Sequence, residues 1–332
     1  MENGIVLENG VCHKDTINGG HDIWNCEDGV SSPAADHLVV MVHGILGSQT
    51  NGATLTLDGV DVMAQRLAAE VLEVIKNNPK LHKISFVAHS VGGLVARYAI
   101  GILYQRPDVD NADSSHENAR GTIGGLEAVN FITVATPHLG SRGNKQVPFL
   151  FGVTAIEKVA GLVIHWIFRR TGRHLFLTDG GDEGKPPLLK RMVEDNTEYH
   201  FISALRTFKR RVAYSNVGYD HIVGWRTSCI RRMSELPKWE DSLNEKYPHV
   251  VYEELCVERV PSETALEEDR SCDKIEEELV TGLSQVSWEK VDVSFHSSRL
   301  RFAAHSVIQV KDHYMHAEGA DVIQHMIDHF VV

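Results

Sequence analysis

The sequence predicts an α/β fold with a mostly parallel central sheet, built as one domain over residues 1–332. Continuous apolar runs typical of buried parallel strands occur at 37–42, 84–87 and 129–135. Segments of helical periodicity lie between these runs, and strands that alternate with helices form mostly parallel sheets. Each run also ends in a short turn that contains glycine. The chain therefore repeats a pattern of strand, turn and helix.

The composition is that of a globular protein with a sizeable core, since 42% of the residues are hydrophobic. The formal net charge of −12 argues against nucleic acid as a partner, because phosphate neutralisation needs a basic face. Five scattered cysteines without C-x-x-C spacing indicate reduced thiols rather than a disulfide framework. The chain shows neither the basic and apolar pattern of a leader nor an uncharged apolar run of about 18 residues, so we expect a cytoplasmic protein.

The first residues carry paired turn signals. Residues 4–27 alternate short apolar pieces with Asn-Gly and Gly-Gly, which predicts an antiparallel hairpin. A turn-rich linker then leads into the buried run 37–42, which ends in the sequence HGILGS. Such a turn leaves backbone N–H groups that the sheet does not use, and these can hold an anionic oxygen. A plain turn is the alternative.

The most informative stretch is residues 81–104, LHKISFVAHSVGGLVARYAIGILY. It follows a helix predicted over 60–76, which Pro79 ends. Within it a short strand stops at the pentapeptide AHSVG, and an apolar helical pattern begins at once. A serine in such a turn, here Ser90, with small residues two positions to either side, is typical of a nucleophile elbow. A serine that only caps the helix is the alternative.

Residues 141–205 do not have the pattern of another strand and helix, and we interpret them as a cap or lid insertion. The part 147–168 is strongly apolar but contains charged residues, as amphipathic segments do. Residues 142–191 carry nine basic against four acidic side chains in an otherwise acidic chain. This cap would favour an anionic lipid surface, so we expect a peripheral contact with a membrane or lipid surface here; a solvated face is the alternative.

A serine nucleophile needs a base, and the base needs a third group that fixes its tautomer. In folds of this kind the acid and then the histidine follow later strands. Asp220 stands just past a strand predicted over 207–217, where the acid belongs. An Asx-turn residue is the alternative interpretation.

The base is less well defined, because the chain contains 19 histidines. We expect it to be His305, which lies in a loop long enough to return to Ser90. His296, at a strand end, and His316, nearer the final helix, remain alternatives. His221 adjoins the acid in sequence, but neighbouring side chains rarely face each other.

The C-terminal third is predicted to contain an acidic surface excursion, followed by a strand and a helix. Residues 253–280 are strongly acidic, residues 286–295 alternate like a half-exposed strand, and residues 317–331 have helical periodicity. His325 and His329 lie one helical turn apart, a spacing that can bind zinc, but no third ligand is evident. We interpret that helix face as solvated and expect neither a metal nor another cofactor.

Several motifs together carry a family resemblance: LVVMVHGILG, AHSVGGLVARY, ATPHLG, GRHLFLTD and YDHIVGWRTS. They resemble the plant branch of the putative serine esterase (lipase-like) family of α/β-hydrolases, over roughly residues 37–332. The resemblance implies Ser90 as nucleophile, Asp220 as acid and His305 as base. It also implies an oxyanion hole formed by the backbone N–H groups of Val91 and Ile45, with Leu46 as the alternative to the latter.

The chain departs from the family pattern in one place. Members usually have a further helix and strand before the helix that precedes the elbow, and Ser48 to Gly59 is too short for both. We therefore expect that one βα unit is missing and that its neighbouring strand is exposed or rearranged. The sequence predicts a carboxylic ester hydrolase acting on lipid or other acyl esters. A catalytically silent regulatory or interaction protein, or an acyltransferase on the same triad, is the alternative.

Overall fold

The central feature of the fold is a six-stranded, mostly parallel sheet. The computed structural model describes residues 6–7, 10–16, 22–27, 35–44, 58–107, 121–141, 169–181, 184–240, 244–258 and 274–332, the first three ranges in backbone only. In chain order the strands are β1 (Val6–Leu7), β2 (Gly10–Thr16), β3 (Asp22–Glu27), β4 (His37–Val42), β5 (Lys83–His89), β6 (Tyr104–Gln105), β7 (Thr122–Ile123), β8 (Glu127–Val134), β9 (Arg210–Asn216), β10 (Val250–Cys256) and β11 (Trp288–Val293). The spatial order of the large sheet is β10-β11-β9-β8-β5-β4, and only β10 runs antiparallel to its neighbour.

Helices flank this sheet. In chain order they are α1 (Val60–Asn77), α2 (Gly92–Leu103), α3 (Arg169–Leu175), α4 (Leu188–Arg191), α5 (Phe201–Thr207), α6 (Trp225–Ser228), α7 (Lys274–Leu283), α8 (Ala304–Val307) and α9 (Ala320–Asp328). Short 3₁₀ turns occur at Met233–Glu235, Arg301–Ala303 and Ala317–Gly319. Mostly parallel strands with flanking helices in this order form an α/β-hydrolase fold, as the sequence predicts.

The sheet is covered on both faces, because consecutive residues of β8 enter two different hydrophobic clusters. Phe131 packs with Phe86 and Phe208 in the larger cluster, to which α1, α2, α5 and α7 contribute. Ile132, on the opposite face of the strand, belongs to a second cluster that includes residues of α8 and α9. Buried strands of this kind have continuous apolar sequences, which is why the runs of β5 and β8 are recognisable in the sequence.

Several predicted elements are confirmed. The hairpin expected within residues 4–27 is the antiparallel pair β2 and β3. The helix predicted over 60–76 is α1, and the strand predicted within 207–217 is β9.

Two interpretations of the C-terminal third were wrong. The strand within 286–295 is β11, and it is buried rather than half-exposed because it lies between β9 and β10. Its two acidic residues form ion pairs: Asp292 pairs with Arg231 at 2.6 Å, and Glu289 pairs with Arg210. The helix face of His325 is not solvated either, since that imidazole is 1% exposed and its Nδ1 lies 2.8 Å from the Tyr214 hydroxyl.

The described ends of the acidic segment 253–280 are regular structure. Residues 253–256 lie in β10 and residues 274–280 lie in α7, and residues 259–273 are outside the described part of the chain. Likewise, residues 142–168 of the predicted cap are not described. The last part of that cap segment, α5, contributes Phe201 and Leu205 to the larger hydrophobic cluster.

Among the strands that the structure describes, β4 is the outermost of the large sheet on one side, where it pairs with β5. Val39 and Met41 are exposed. The predicted loss of the βα unit after β4 stays a prediction, because residues 45–57 lie outside the described part of the chain.

Candidate active site

The turn between β5 and α2 places Ser90 in a strained backbone conformation. Its φ is +56°, in the left-handed region that L-residues other than Asn and Asp seldom adopt. Hydrogen bonds on both sides hold the turn: the Ser90 N–H donates to the Val134 carbonyl at 2.9 Å, and the Thr136 hydroxyl donates to the Ser90 carbonyl at 2.9 Å. The geometry is that of a nucleophile elbow, with the neighbouring strand's loop fixing its position.

Two glycines let the elbow approach its surroundings. A Cβ at Gly92 would lie 2.5 Å from the Val42 carbonyl oxygen, so α2 could not begin this close to the end of β4 with any other residue. A Cβ at Gly44 would lie 2.7 Å from the Ser90 Cβ and 3.2 Å from its Oγ. The His-Gly turn after β4 therefore lies directly against the serine side chain.

Asp220 lies in the loop after β9 and is buried. The preceding Tyr219 has a φ of +58°, a second strained residue of this region. The Asp220 Oδ1 accepts the backbone N–H groups of Ile222 at 3.0 Å and Val223 at 2.8 Å. Its Oδ2 accepts an N–H from the Asn216 side chain at 2.9 Å. The residue is thus an Asx-turn residue, as the alternative interpretation has it, but one carboxylate oxygen also faces the histidine described next.

His305 lies in the short helix α8 and joins the serine to the aspartate. Its Nδ1 is 2.9 Å from Asp220 Oδ2, and its Nε2 is 3.0 Å from Ser90 Oγ. An acceptor carboxylate at Nδ1 favours the tautomer with the proton on Nδ1, which leaves the Nε2 lone pair directed at the serine hydroxyl. The structure therefore brings the three expected residues together in one hydrogen-bonded chain.

The other candidate bases lie elsewhere. His296 has its ring 5.5 Å from that of Trp239, and His316 accepts the backbone N–H of Asp312 at 3.0 Å. His221 stacks on the ring of Phe302. His305 is the candidate whose two ring nitrogens contact the serine and the aspartate.

His89, directly before the nucleophile, is a residue that the sequence analysis did not assign. Its Nε2–H donates to the backbone carbonyl of His305 at 2.9 Å, and the two imidazole rings lie 4.6 Å apart. Burial, and next the neighbouring His305, hold the pKa of His89 well below its usual value. The ring is therefore neutral and carries a single N–H. It donates that N–H to the backbone of the segment that carries the base.

A buried arginine supports the loop after β8. The Arg97 guanidinium of α2 lies 3.4 Å from the His138 carbonyl and 3.3 Å from the Met192 carbonyl. Burial lowers the pKa of Arg97 to about 9, and burial together with Arg97 lowers that of His138. His138 of the ATPHLG motif thus belongs to the support of the elbow helix through its contact with Arg97.

The expected oxyanion hole is described only in part. Val91 is the N-cap residue of α2, at a helix end where backbone N–H groups have no intrahelical carbonyl to bond. Ile45 and Leu46 lie outside the described residues. Within the described ranges no cluster of three histidine, cysteine or acidic side chains has the geometry to hold a metal ion.

A family model described as "Putative serine esterase (DUF676)" matches residues 48–231, more than half of the chain, and this range contains Ser90 and Asp220. The chain belongs to this family. Its match ends before His305, so it covers less than the range over which the sequence motifs indicate resemblance.

Fungal relatives of this serine esterase family are also similar to the chain. A protein of Schizosaccharomyces pombe described as a putative lipase is 30% identical over 219 residues, which are 64% of this chain and 24% of that protein. One of Saccharomyces cerevisiae with the same description is 26% identical over 238 residues, 63% of this chain and 31% of that protein. The chain thus spans about a quarter to a third of the length of these relatives. The assignment to a plant branch stays a prediction.

Among solved structures, an esterase of Pyrococcus furiosus overlaps 66% of this chain and 73% of its own at 14% identity and a TM-score of 0.33. In the described part of the chain, none of the helices is both long and apolar enough to cross a membrane.

Proposed function

We propose that this chain hydrolyses carboxylic esters of lipids through an acyl-serine intermediate. The observation that carries the proposal is the position of His305, whose Nε2 lies 3.0 Å from Ser90 Oγ while its Nδ1 lies 2.9 Å from Asp220. Membership of the serine esterase family and the relatives described as lipases support it.

Each residue then has a chemical role. Ser90 Oγ attacks the ester carbonyl carbon as His305 Nε2 takes its proton, and Asp220 stabilises the resulting imidazolium. The oxyanion receives N–H groups from Val91 and from the turn after Gly44, where the expected donor is Ile45. His305 returns the proton to the departing alcohol, and a water molecule then releases the acid from Ser90 by the same steps in reverse order.

The setting of the site matches this chemistry. Ser90 and Asp220 are buried, which excludes water from the hydrogen-bonded chain and strengthens its electrostatic interactions. The carboxylate is already held by three other donors, so it does not need to rearrange as charge develops on His305. Preorganisation of this kind is what a catalytic acid requires and what a solvated Asx turn does not need.

Hydrolysis is best tested with p-nitrophenyl esters of graded acyl chain length. We expect turnover by the parent chain, a loss of at least about 10³-fold in Ser90→Ala, and no change in Ser234→Ala, which removes an exposed hydroxyl from the 3₁₀ turn Met233–Glu235. A rise in kcat/KM with acyl length would support a lipid substrate. Equal rates for Ser90→Ala and the parent chain would refute the proposal.

A catalytically silent protein is the second candidate, and the exposed side chains Val39 and Met41 of β4 favour it, because they are consistent with the predicted loss of the βα unit after this strand. A fluorophosphonate probe separates the two, since it labels only an activated serine. Labelling of the Ser90 peptide supports the hydrolase, and an unlabelled but folded chain supports the silent protein. Product analysis with an added alcohol acceptor would distinguish acyl transfer from hydrolysis on the same triad.

The free cysteines support a location in a reducing compartment. Cys229 and Cys256 are free thiols in the described residues, and burial raises the pKa of Cys229 to about 12. Thiols kept reduced are typical of a reducing compartment, so we place the chain in the cytoplasm.

A further inference from the structure

An exposed aromatic cluster lies beside the triad, on the two loops that carry Asp220 and His305. Phe302 is 60% exposed and Tyr219 is 38% exposed, and their rings meet edge to face at 5.5 Å. Ile222, two residues past Asp220 in the same loop as Tyr219, is 54% exposed. Large apolar side chains joined across two loops form a patch, and such patches on a protein surface mark contacts with other molecules.

A cation lies within this patch. The Arg301 guanidinium is 5.5 Å from the centre of the Tyr219 ring and 5.2 Å from that of Phe302. Arg299 and Lys311, on the same segment, are also exposed. Arg301 is thus an exposed cation held against two aromatic rings, in a chain whose net charge is −12.

We propose that this patch, formed by Tyr219, Ile222, Arg301 and Phe302, docks the protein on an anionic lipid surface. Aromatic rings lie well at the boundary between acyl chains and headgroups, and arginine beside them pairs with acidic headgroups. A protein seated on the same patch would cover the loops of the triad, whereas a lipid surface would present ester groups to it. The choice of a lipid surface as the partner of this patch rests on the proposed function.

The patch also differs from the contact predicted at the cap. The lipid-facing element here is the rim of the triad itself: Tyr219 directly precedes Asp220, and Phe302 lies three residues before His305. Docking therefore fixes the orientation of the molecule, so that the end of the sheet that carries Ser90 faces the lipid.

Binding is tested without turnover, in the Ser90→Ala chain, by sedimentation with vesicles of phosphatidylcholine containing about one third phosphatidylserine. We expect Phe302→Ser to weaken binding about tenfold. Arg301→Glu changes two units of charge and should weaken binding about 25-fold, from about fivefold for each unit. It should also remove the preference over vesicles of phosphatidylcholine alone.

Matched controls lie at the opposite end of the strands. Leu255 is 67% exposed near the end of β10, and Lys80 is exposed before β5. Leu255→Ser and Lys80→Glu make comparable changes there, from an exposed apolar side chain to serine and from a cation to glutamate, and should leave binding within about twofold of the Ser90→Ala parent. Circular dichroism and thermal unfolding of every variant check the fold.

Each result decides the inference. Equal binding by the patch variants and the controls would overturn it, as would binding that does not depend on anionic lipid. Capture of a protein by the patch in place of vesicle binding would also overturn it. Esterase activity on dissolved p-nitrophenyl acetate is measured separately, so a chain that binds vesicles but lacks activity would refute the proposed function and leave the docking surface standing.

A second inference concerns His89 and stands on a different contact. We infer that His89 is a positioning residue for the base: its Nε2–H donates to the His305 carbonyl at 2.9 Å, from the residue that adjoins the nucleophile. This bond ties the short helix α8 to the end of β5. By holding the backbone of His305 instead of its ring, the bond fixes the distance between Ser90 Oγ and His305 Nε2.

The hydrogen bond is tested by His89→Phe, which keeps a ring of similar size without the donor, and by His89→Gln, which keeps an N–H of similar reach. We expect kcat to fall about tenfold in the first with KM within about twofold, and to recover in the second. A His89→Phe chain with the parent kcat would overturn the inference, as would a folded His89→Gln chain that remains as slow as His89→Phe. If His89→Phe fails to fold, His89→Asn, whose amide is too short to reach, replaces it with the same expected loss.

Discussion

Replacing Asp220 by asparagine should reverse the direction of the hydrogen bond that orients His305. The carboxylate accepts four N–H groups: two backbone groups on Oδ1, and the Asn216 amide and His305 Nδ1 on Oδ2. An asparagine side chain has one acceptor oxygen and one NH2 group. If its oxygen keeps the two backbone donors, its NH2 faces His305 Nδ1.

A donor at this position requires His305 to accept through Nδ1. The ring proton then moves to Nε2, which points at Ser90 Oγ from 3.0 Å and can no longer take its proton. The wrong tautomer of a triad histidine lowers kcat by about 10⁴, which corresponds to about 5 kcal/mol of activation free energy. The free energy of unfolding should change much less, by about 1 kcal/mol, because three of the four hydrogen bonds can still form.

The chain offers a matched control at Asp312, whose Oδ1 accepts the backbone N–H groups of the residues two and three positions later, Tyr314 and Met315. Asp312→Asn makes the same change in the same type of turn without touching the base. The assay is kcat for p-nitrophenyl butyrate, together with the rate of fluorophosphonate labelling. A folded Asp220→Asn chain with kcat within tenfold of the Asp312→Asn chain would show that another group orients His305.

Three further predictions follow from contacts outside the hydrogen-bonded triad. Gly44→Ala should lower kcat about 10²-fold, because its Cβ would lie 2.7 Å from the Ser90 Cβ and must displace the nucleophile; unchanged ester turnover would contradict this. Burial, and next the charge of Glu73, raise the pKa of Glu70 in the folded chain to about 7. Neutral Glu70 therefore contributes stability that is fully present below the pKa this residue has in the unfolded chain and that is lost as the pH rises through about 7. Urea unfolding at about pH 5 and pH 8 should therefore show a smaller loss of stability for Glu70→Gln than for the parent, and equal losses would refute the assignment. Met41→Lys should reduce light scattering by concentrated protein while leaving Tm nearly unchanged, because it places a charge on the outermost strand; unaltered scattering would show that β4 does not drive association.

The sequence predicts the parts of the fold in which local pattern and tertiary environment agree. Strands β5 and β8 are buried on both faces, so their apolar runs identify them directly. Strand β10 was missed, because its sequence VVYEELC has the acidic composition of the segment that follows and lies at the edge of the sheet, where glutamates reach solvent. Strand β11 was found but judged half-exposed, since its Asp292 is buried by an ion pair that no pattern along the chain reveals.

The same limit applies to the site. Ser90 is recognisable because strain at an elbow requires small neighbours in sequence, and Asp220 because the acid follows a strand. The choice among late histidines depends on which loop returns to the serine, and the structure places His305 there. His89 gives no signal in sequence, because its partner is a backbone carbonyl 216 residues away.

Hydrogen bonds that continue past the ends of the strands should slow the opening of the site. The Ser90 N–H donates to the Val134 carbonyl, the Ala135 N–H to that of Tyr214, and the Val217 N–H to that of Val293, each at 2.9 Å. They link the ends of the four strands that lead into the nucleophile, its neighbouring loop, the acid and the base. Amide hydrogens in such positions exchange with solvent only when the sheet itself separates. The site of this protein should therefore be among the last regions to exchange in deuterated water, with protection close to that of the central strands.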